Sequence, residues 1–146
     1  MAEPSPNRQR AQRLFNAAAI GGHAMALIVV PLLWLLRGPA GGISALVTAL
    51  GALAFLGLGQ LVQVAMADSS PRRLFAATMA SYVVRVSVPL LVVLVAGARP
   101  ERLAGIDRTA VAVTVIAVAA GWLTAEMLTF RKLRVPVFDD PRPPSS

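Results

Sequence analysis

Charge is almost absent from four long stretches of this chain, and that absence limits what it can fold into. Residues 14–36 and 38–67 contain no Asp, Glu, Lys or Arg; residues 74–98 contain only Arg85, and residues 109–130 only Glu126. A helix rises about 1.5 Å per residue, so each stretch can cross about 30 Å of hydrocarbon. Lipid admits helices because they pair every backbone polar group within the segment. The sequence therefore predicts an all-α membrane protein with four transmembrane helices, at about 14–36, 43–66, 72–96 and 109–131.

Composition agrees. Hydrophobic residues make up 56% and charged residues 14% of the chain, against about 25% charge in a soluble domain. Four spans in 146 residues leave loops and tails too short to build a core of their own. The net charge of +7 would point to nucleic acid in a soluble protein. Here the arginines flank the spans, topology accounts for them, and no nucleic-acid partner is expected. With no cysteine, disulfides, zinc–thiolate sites and thiol catalysis are excluded. Basic residues from Arg8 to Arg13 precede the first apolar run, as in a signal peptide. That run spans residues 14–36 and ends at Trp34-Leu35-Leu36-Arg37. A signal core has about 7 to 15 apolar residues and a small-residue cleavage site, so an uncleaved first span is predicted.

The domain organisation follows. Residues 1–13 form a polar tail, expected to be disordered to about Asn7, residues 14–132 the membrane domain, and residues 133–146 a proline-rich, disordered tail. Arg37-Gly38-Pro39 stops the first helix. Asp68-Ser69-Ser70-Pro71 makes a turn in which Ser70 can cap the third helix and Pro71 open it. Residues 97–107 form the longest loop, ahead of a helix at about 108–132. With the N-terminus inside, the inner segments hold Arg8, Arg10, Arg13, Arg72, Arg73, Arg131, Lys132, Arg134 and Arg142, and the outer loops Arg37, Arg99, Arg102 and Arg108. The excess of basic residues on the first side places both termini in the cytoplasm of a multi-pass protein of the cell membrane.

The candidate functional residues are the polar groups within the spans. Arg85 falls near a midplane, with Thr78, Ser81 and Tyr82 at i−7, i−4 and i−3 on the same stripe. Pro89 removes the helical partner of the Arg85 carbonyl and is expected to kink the helix. Glu126 falls about 9 Å from the midplane at about 1.5 Å per residue, within reach of a snorkelling Arg85. The two depths are therefore compatible with an ion pair between the third and fourth helices, a carboxylate of a partner being the other candidate for Arg85. Gln60, Gln63 and His23 fall in the same half, so all four helices contribute to one polar layer. Such a layer can hold helices together, face a membrane partner, or handle ions. A lone His with no Cys or second His suits a helix contact better than a metal site. No catalytic set, cofactor site or metal site is expected. Gly-rich residues 38–42 contain Pro39 and lack the Lys-Ser/Thr of a phosphate loop. Small residues recur at four-residue spacing, at Ala17/Gly21, Ala18/Gly22 and Ala117/Gly121/Ala125, which suits close helix packing.

Two segments carry a family resemblance. Phe75-Ala76-Ala77-Thr78-Met79-Ala80-Ser81-Tyr82-Val83-Val84-Arg85-Val86 resembles the third span of the ATP synthase protein I family in its actinobacterial form. The family pattern there is a small or hydroxyl residue, an aromatic, two aliphatics and a basic residue. Gly121-Trp122, Glu126 and Lys132-Leu133-Arg134-Val135-Pro136-Val137-Phe138-Asp139 resemble its last span and basic tail. The resemblance covers about the last seventy residues, and the first half matches in hydropathy alone. Some relatives have an acidic residue three positions before the basic one, where this chain has Tyr82; Glu126 could substitute for it. The resemblance implies an accessory membrane protein of the F-type ATP synthase that helps assemble or stabilise the membrane sector, with the c subunit as partner. It also implies a magnesium-related role. The competing class is a small homo-oligomeric transporter or channel lined by Arg85, Glu126, Gln60 and His23; a third is a membrane scaffold without ligand.

Overall fold

The structure is a computed structural model that describes residues 5–98 and 104–132; some side chains between 71 and 97, those of Arg85 and Pro89 among them, lie outside the described residues. Three helices follow one another, α1 (Pro6–Met66), α2 (Pro71–Ala98) and α3 (Arg108–Lys132), with no strand among the described residues. The chain is thus all-α, but as continuous elements it has three helices where the sequence predicts four. The difference lies at Gly38. Its φ of 71° and ψ of −166° break α1 into two arms, residues 6–37 and 39–66. Positive φ is open to glycine at little cost. Pro39, with φ fixed near a helical value and no N–H to satisfy, restarts the helix at once. The predicted loop over 37–42 is therefore a single-residue reversal.

The arms run back along each other. Ala18 and Ala26 of the first arm share a buried cluster with Ala49 and Leu53 of the second, together with Val118 and Trp122 of α3. A second cluster, Val29, Leu33, Ala45 and Ala110, lies nearer the reversal. At the open end of this hairpin the Ser5 hydroxyl donates to the Asp68 carboxylate. Ser5 also caps α1, its Oγ accepting from the Arg8 N–H at 3.2 Å, with Pro6 in the first turn. That cap explains why α1 starts at Pro6, inside the segment expected to be a disordered tail. Pro71 and Arg108 open α2 and α3 as expected. The expected disorder of residues 133–146 lies outside the described residues.

The packing is inside-out by the standard of a soluble protein. Gly22, Gly41, Gly42, Ala18, Ala45 and Ala49 are buried, while Leu27 and Leu35 are 76% and 84% exposed. Small residues let backbones approach closely where association relies on van der Waals contact. The closest approach is between Gly21 and Gly121: a Cβ on Gly121 would lie 2.6 Å from the Gly21 carbonyl oxygen, a backbone atom with nowhere to go. Trp122 fills the space beside this crossing, against Phe15 at a ring distance of 6.2 Å and an angle of 63°. Gly42 lies under the Trp34 ring in the same way near the reversal.

α3 packs along both arms of α1, whereas α2 touches α1 alone and makes no contact with α3 among the described residues. α1 and α3 are long and apolar enough to cross a membrane; the apolar run in the described part of α2 is the shorter Phe75–Val84. α2 continues as one helix past Pro89.

The Gly21–Gly121 crossing predicts that Gly121→Ala separates α3 from the first arm. Overpacking of a tight contact costs about 1–3 kcal/mol. The expected result is a lower thermal unfolding midpoint in detergent, with Gly51→Ala, where a Cβ meets nothing within 4 Å, unchanged or higher.

Candidate functional site

The polar candidates of the apolar stretches separate into several places. Between the second arm and α3, Gln60 Nε2 donates to Glu126 Oε1 at 2.6 Å. Gln60 is only 6% exposed, and Glu126 is half-buried. The spacing that sets this up is simple. Gln60 follows buried Leu53 by two turns and Glu126 follows buried Trp122 by one, so each sits one step along the face that packs the two helices together. A hydrogen bond to a charged acceptor is stronger than a neutral one. The amide thus supplies Glu126 with a donor. The side chain of Arg85 lies outside the described residues, as does that of Pro89.

Gln63 and Thr78 line a different space, a cavity between the second arm, α2 and the start of the first arm that also includes Asn7 and Arg10. Ser81 faces an apolar groove between the second arm and α2. Tyr82 is 62% exposed. His23 is exposed and lines an apolar cavity with Leu27, Leu46 and Leu50. Its Nδ1 lies 2.7 Å from the Ala19 carbonyl oxygen. A carbonyl can only accept, so Nδ1 is the protonated nitrogen of this contact. The single polar layer expected from depth alone is therefore resolved into separate contacts, because residues at one depth point in different directions around their helices. Among the described residues no three His, Asp or Glu side chains gather as metal ligands.

A further constellation, absent from the sequence-based candidates, sits at the reversal. Asp107 precedes α3 and caps it, its Oδ1 accepting from the Ala110 N–H at 3.0 Å. The same carboxylate takes two donors from Arg37: Nε to Oδ2 at 2.5 Å and Nη2 to Oδ1 at 3.2 Å. Its own N–H donates to Ser44 Oγ at 3.0 Å. One residue thereby ties α3 to both arms of α1. The Arg37 guanidinium first, and the Ala110 N–H after it, hold the Asp107 carboxyl below its ordinary range. The hydrogen bond to Asp107, with its charge, raises Arg37 above its own. An Asp directly before an apolar helical run is the N-cap signature, and that signal is legible at Asp107; the Arg37 partner is not, since it lies far away in the chain.

Gln60→Leu leaves the Glu126 carboxylate without its donor and is expected to cost about 1–3 kcal/mol of bundle stability. Adding Glu126→Leu should recover part of that loss, giving a double variant milder than the sum of the singles in a thermal unfolding series. At the reversal, the depressed Asp107 carboxyl contributes stability at pH values above the ordinary carboxylate range, and that contribution is lost as pH falls through its folded value. Arg37, shifted upward, contributes fully below its ordinary value and loses that only at extreme alkalinity. Stability from this contact is therefore expected to be flat from about pH 5 to about pH 10 and to fall below about pH 4. Asp107→Asn, which retains a capping oxygen, should remove the acid dependence and destabilise less than Asp107→Ala, as read by unfolding midpoints across pH.

No protein-family model matches the chain. No characterised protein matches it, and no solved structure does.

Proposed function

We propose that this chain is a multi-pass protein of the bacterial cell membrane, crossing it four times with both termini in the cytoplasm. In this reading each arm of α1 is one span, Gly38 turns the chain at the outer surface, and α2 and α3 are the third and fourth spans. The observation that carries it is the inverted packing, with Gly and Ala between the helices and Leu27, Leu35, Ile116 and Met127 facing outward. An apolar exterior of that extent suits lipid. The basic residues Arg8, Arg13, Arg72, Arg73, Arg131 and Lys132 are all exposed at the end that this reading puts inside.

Within that frame the chain acts as an accessory protein of the F-type ATP synthase, assisting assembly or stability of the membrane-embedded ring of c subunits. The resemblance at residues 75–86 and 121–139 supports this reading. So does the placement of α2, which rests on α1 alone among the described residues and presents Tyr82, Val83, Leu91 and Leu94 outward. Glu126 already has a donor in Gln60. Arg85, near the middle of α2, is then the basic group best suited to a carboxylate on a partner helix, since a charge in lipid needs a paired group. A c-subunit hairpin carries such a carboxylate. Contact with Arg85 would neutralise it until the ring closes.

A strain lacking this protein is expected to yield less assembled c-ring, or a complex that dissociates more readily in detergent. Arg85→Ala should reproduce part of the loss, and Arg142→Ala none. Finished enzyme should turn over ATP normally. Normal ring levels in the deletion strain, together with ion flux through the purified protein in liposomes, would overturn this function and favour a transporter.

A further inference from the structure

The two spaces flanking the contact between α2 and the second arm have opposite character and share a boundary. One is a cavity of about 430 Å³ lined by Asn7, Arg10, Gln63 and Thr78, near the Ser5–Asp68 end. Neighbouring residues divide the two linings on each helix, Gln63 and Thr78 on the polar side and Val62 and Ala77 on the apolar side. This second space, a groove of about 660 Å³, runs on between Phe55, Leu58, Val62, Ala77, Ala80 and Val84. Its size lies within the range of small-molecule sites, about 300–1,000 Å³.

Arg10 sets the chemistry. It is half-buried, unlike its exposed neighbours Arg8 and Arg13, and among the described residues no carboxylate pairs with it. Among the described residues the acid at that end is Asp68, which Ser5 engages. A half-buried guanidinium with amide side chains beside it matches the oxygens of a phosphate. Six further exposed basic residues, Arg8, Arg13, Arg72, Arg73, Arg131 and Lys132, give the same end a positive field. A polar, cationic cavity beside a long apolar groove is the complement of one molecule, an anionic head on a hydrocarbon chain.

We propose that the α2 groove is a binding site for an anionic glycerophospholipid, its phosphate at Arg10 with Asn7 and Gln63, and one acyl chain between α2 and the second arm. Basic pockets between helices at the cytoplasmic face bind lipid head groups by this chemistry. The bound chain completes the packing that α2 lacks from α3. The proposal rests on the membrane reading above and is independent of the rotor ring.

The test is native mass spectrometry of the full chain in detergent with equal amounts of phosphatidylglycerol and phosphatidylcholine of matched acyl chains. Phosphatidylglycerol adducts are expected to dominate by about fivefold, the worth of one basic contact. Arg10→Gln should abolish that preference, while Arg73→Gln, removing the same charge from an exposed position at the same end, should retain it. Ala80→Trp should block the groove and remove the retained lipid of either kind. Equal binding of the two lipids by the native chain, or equal effects of Arg10→Gln and Arg73→Gln, would overturn the site. So would a second copy of the chain in place of lipid. Should Ala80→Trp not fold, the Arg10→Gln and Arg73→Gln comparison decides alone. Resistance of the chain to alkaline extraction from membranes tests the membrane reading separately.

Discussion

The contact between backbones at Gly21 and Gly121 fixes the position of everything else. Two helices meet there with no side chain between them, and neither glycine can gain a methyl group without meeting a backbone oxygen or a neighbouring helix. Trp122 then fits against Gly22 and Leu53, and Glu126, one turn on, arrives opposite Gln60. In the other direction the same line of contact brings Asp107 to Arg37 and Ser44. Dispersion over a close, small-residue surface is what holds helices together when lipid is as apolar as leucine. The polar contacts add direction to an arrangement that the glycines make possible.

α2 obeys a different rule. It has no share in the two buried clusters, which draw only on α1 and α3. Its contact with the second arm leaves a groove on one side and a polar cavity at one end. A segment with few buried contacts is the part of a fold most readily adjusted by a ligand or partner. The structure thus divides in two: α1 and α3 make a closely packed frame, and α2 rests against α1 alone among the described residues.

Much of this was legible in the sequence. Charge-free lengths gave the helices at 108–132 and from 71 onward, because Pro71 and Asp107 punctuate the chain with residues that have one structural meaning there. The close crossing was foreshadowed by the spacing of Ala117, Gly121 and Ala125. Depth along a span was also readable, but direction around the helix was not. The sequence puts Gln60, Gln63 and His23 in one half of the expected spans, yet only Gln60 faces Glu126, since rotation by one residue turns a side chain by about 100°. The reversal at Gly38 reads as a loop in the sequence because nothing local says that the helix restarts within one residue. The early start of α1 rests on the Ser5 cap and Pro6, short local signals within a polar, proline-containing segment that otherwise reads as a tail.

The long separation between Arg37 and Asp107 has a consequence for the order in which the chain assembles. The arms of α1 can pair as soon as the second is made, because their contacts radiate from one reversal at Gly38. α3 comes last, and its anchors, Arg37, Ser44 and Gln60, all belong to a hairpin synthesised before α2. Contacts that close long loops form late. The hairpin surface that receives α3, with Gly21 and the Arg37 guanidinium, is therefore synthesised before α2, which packs elsewhere on α1. α3 is fitted to that surface by Gly121, where any side chain would meet the Gly21 backbone.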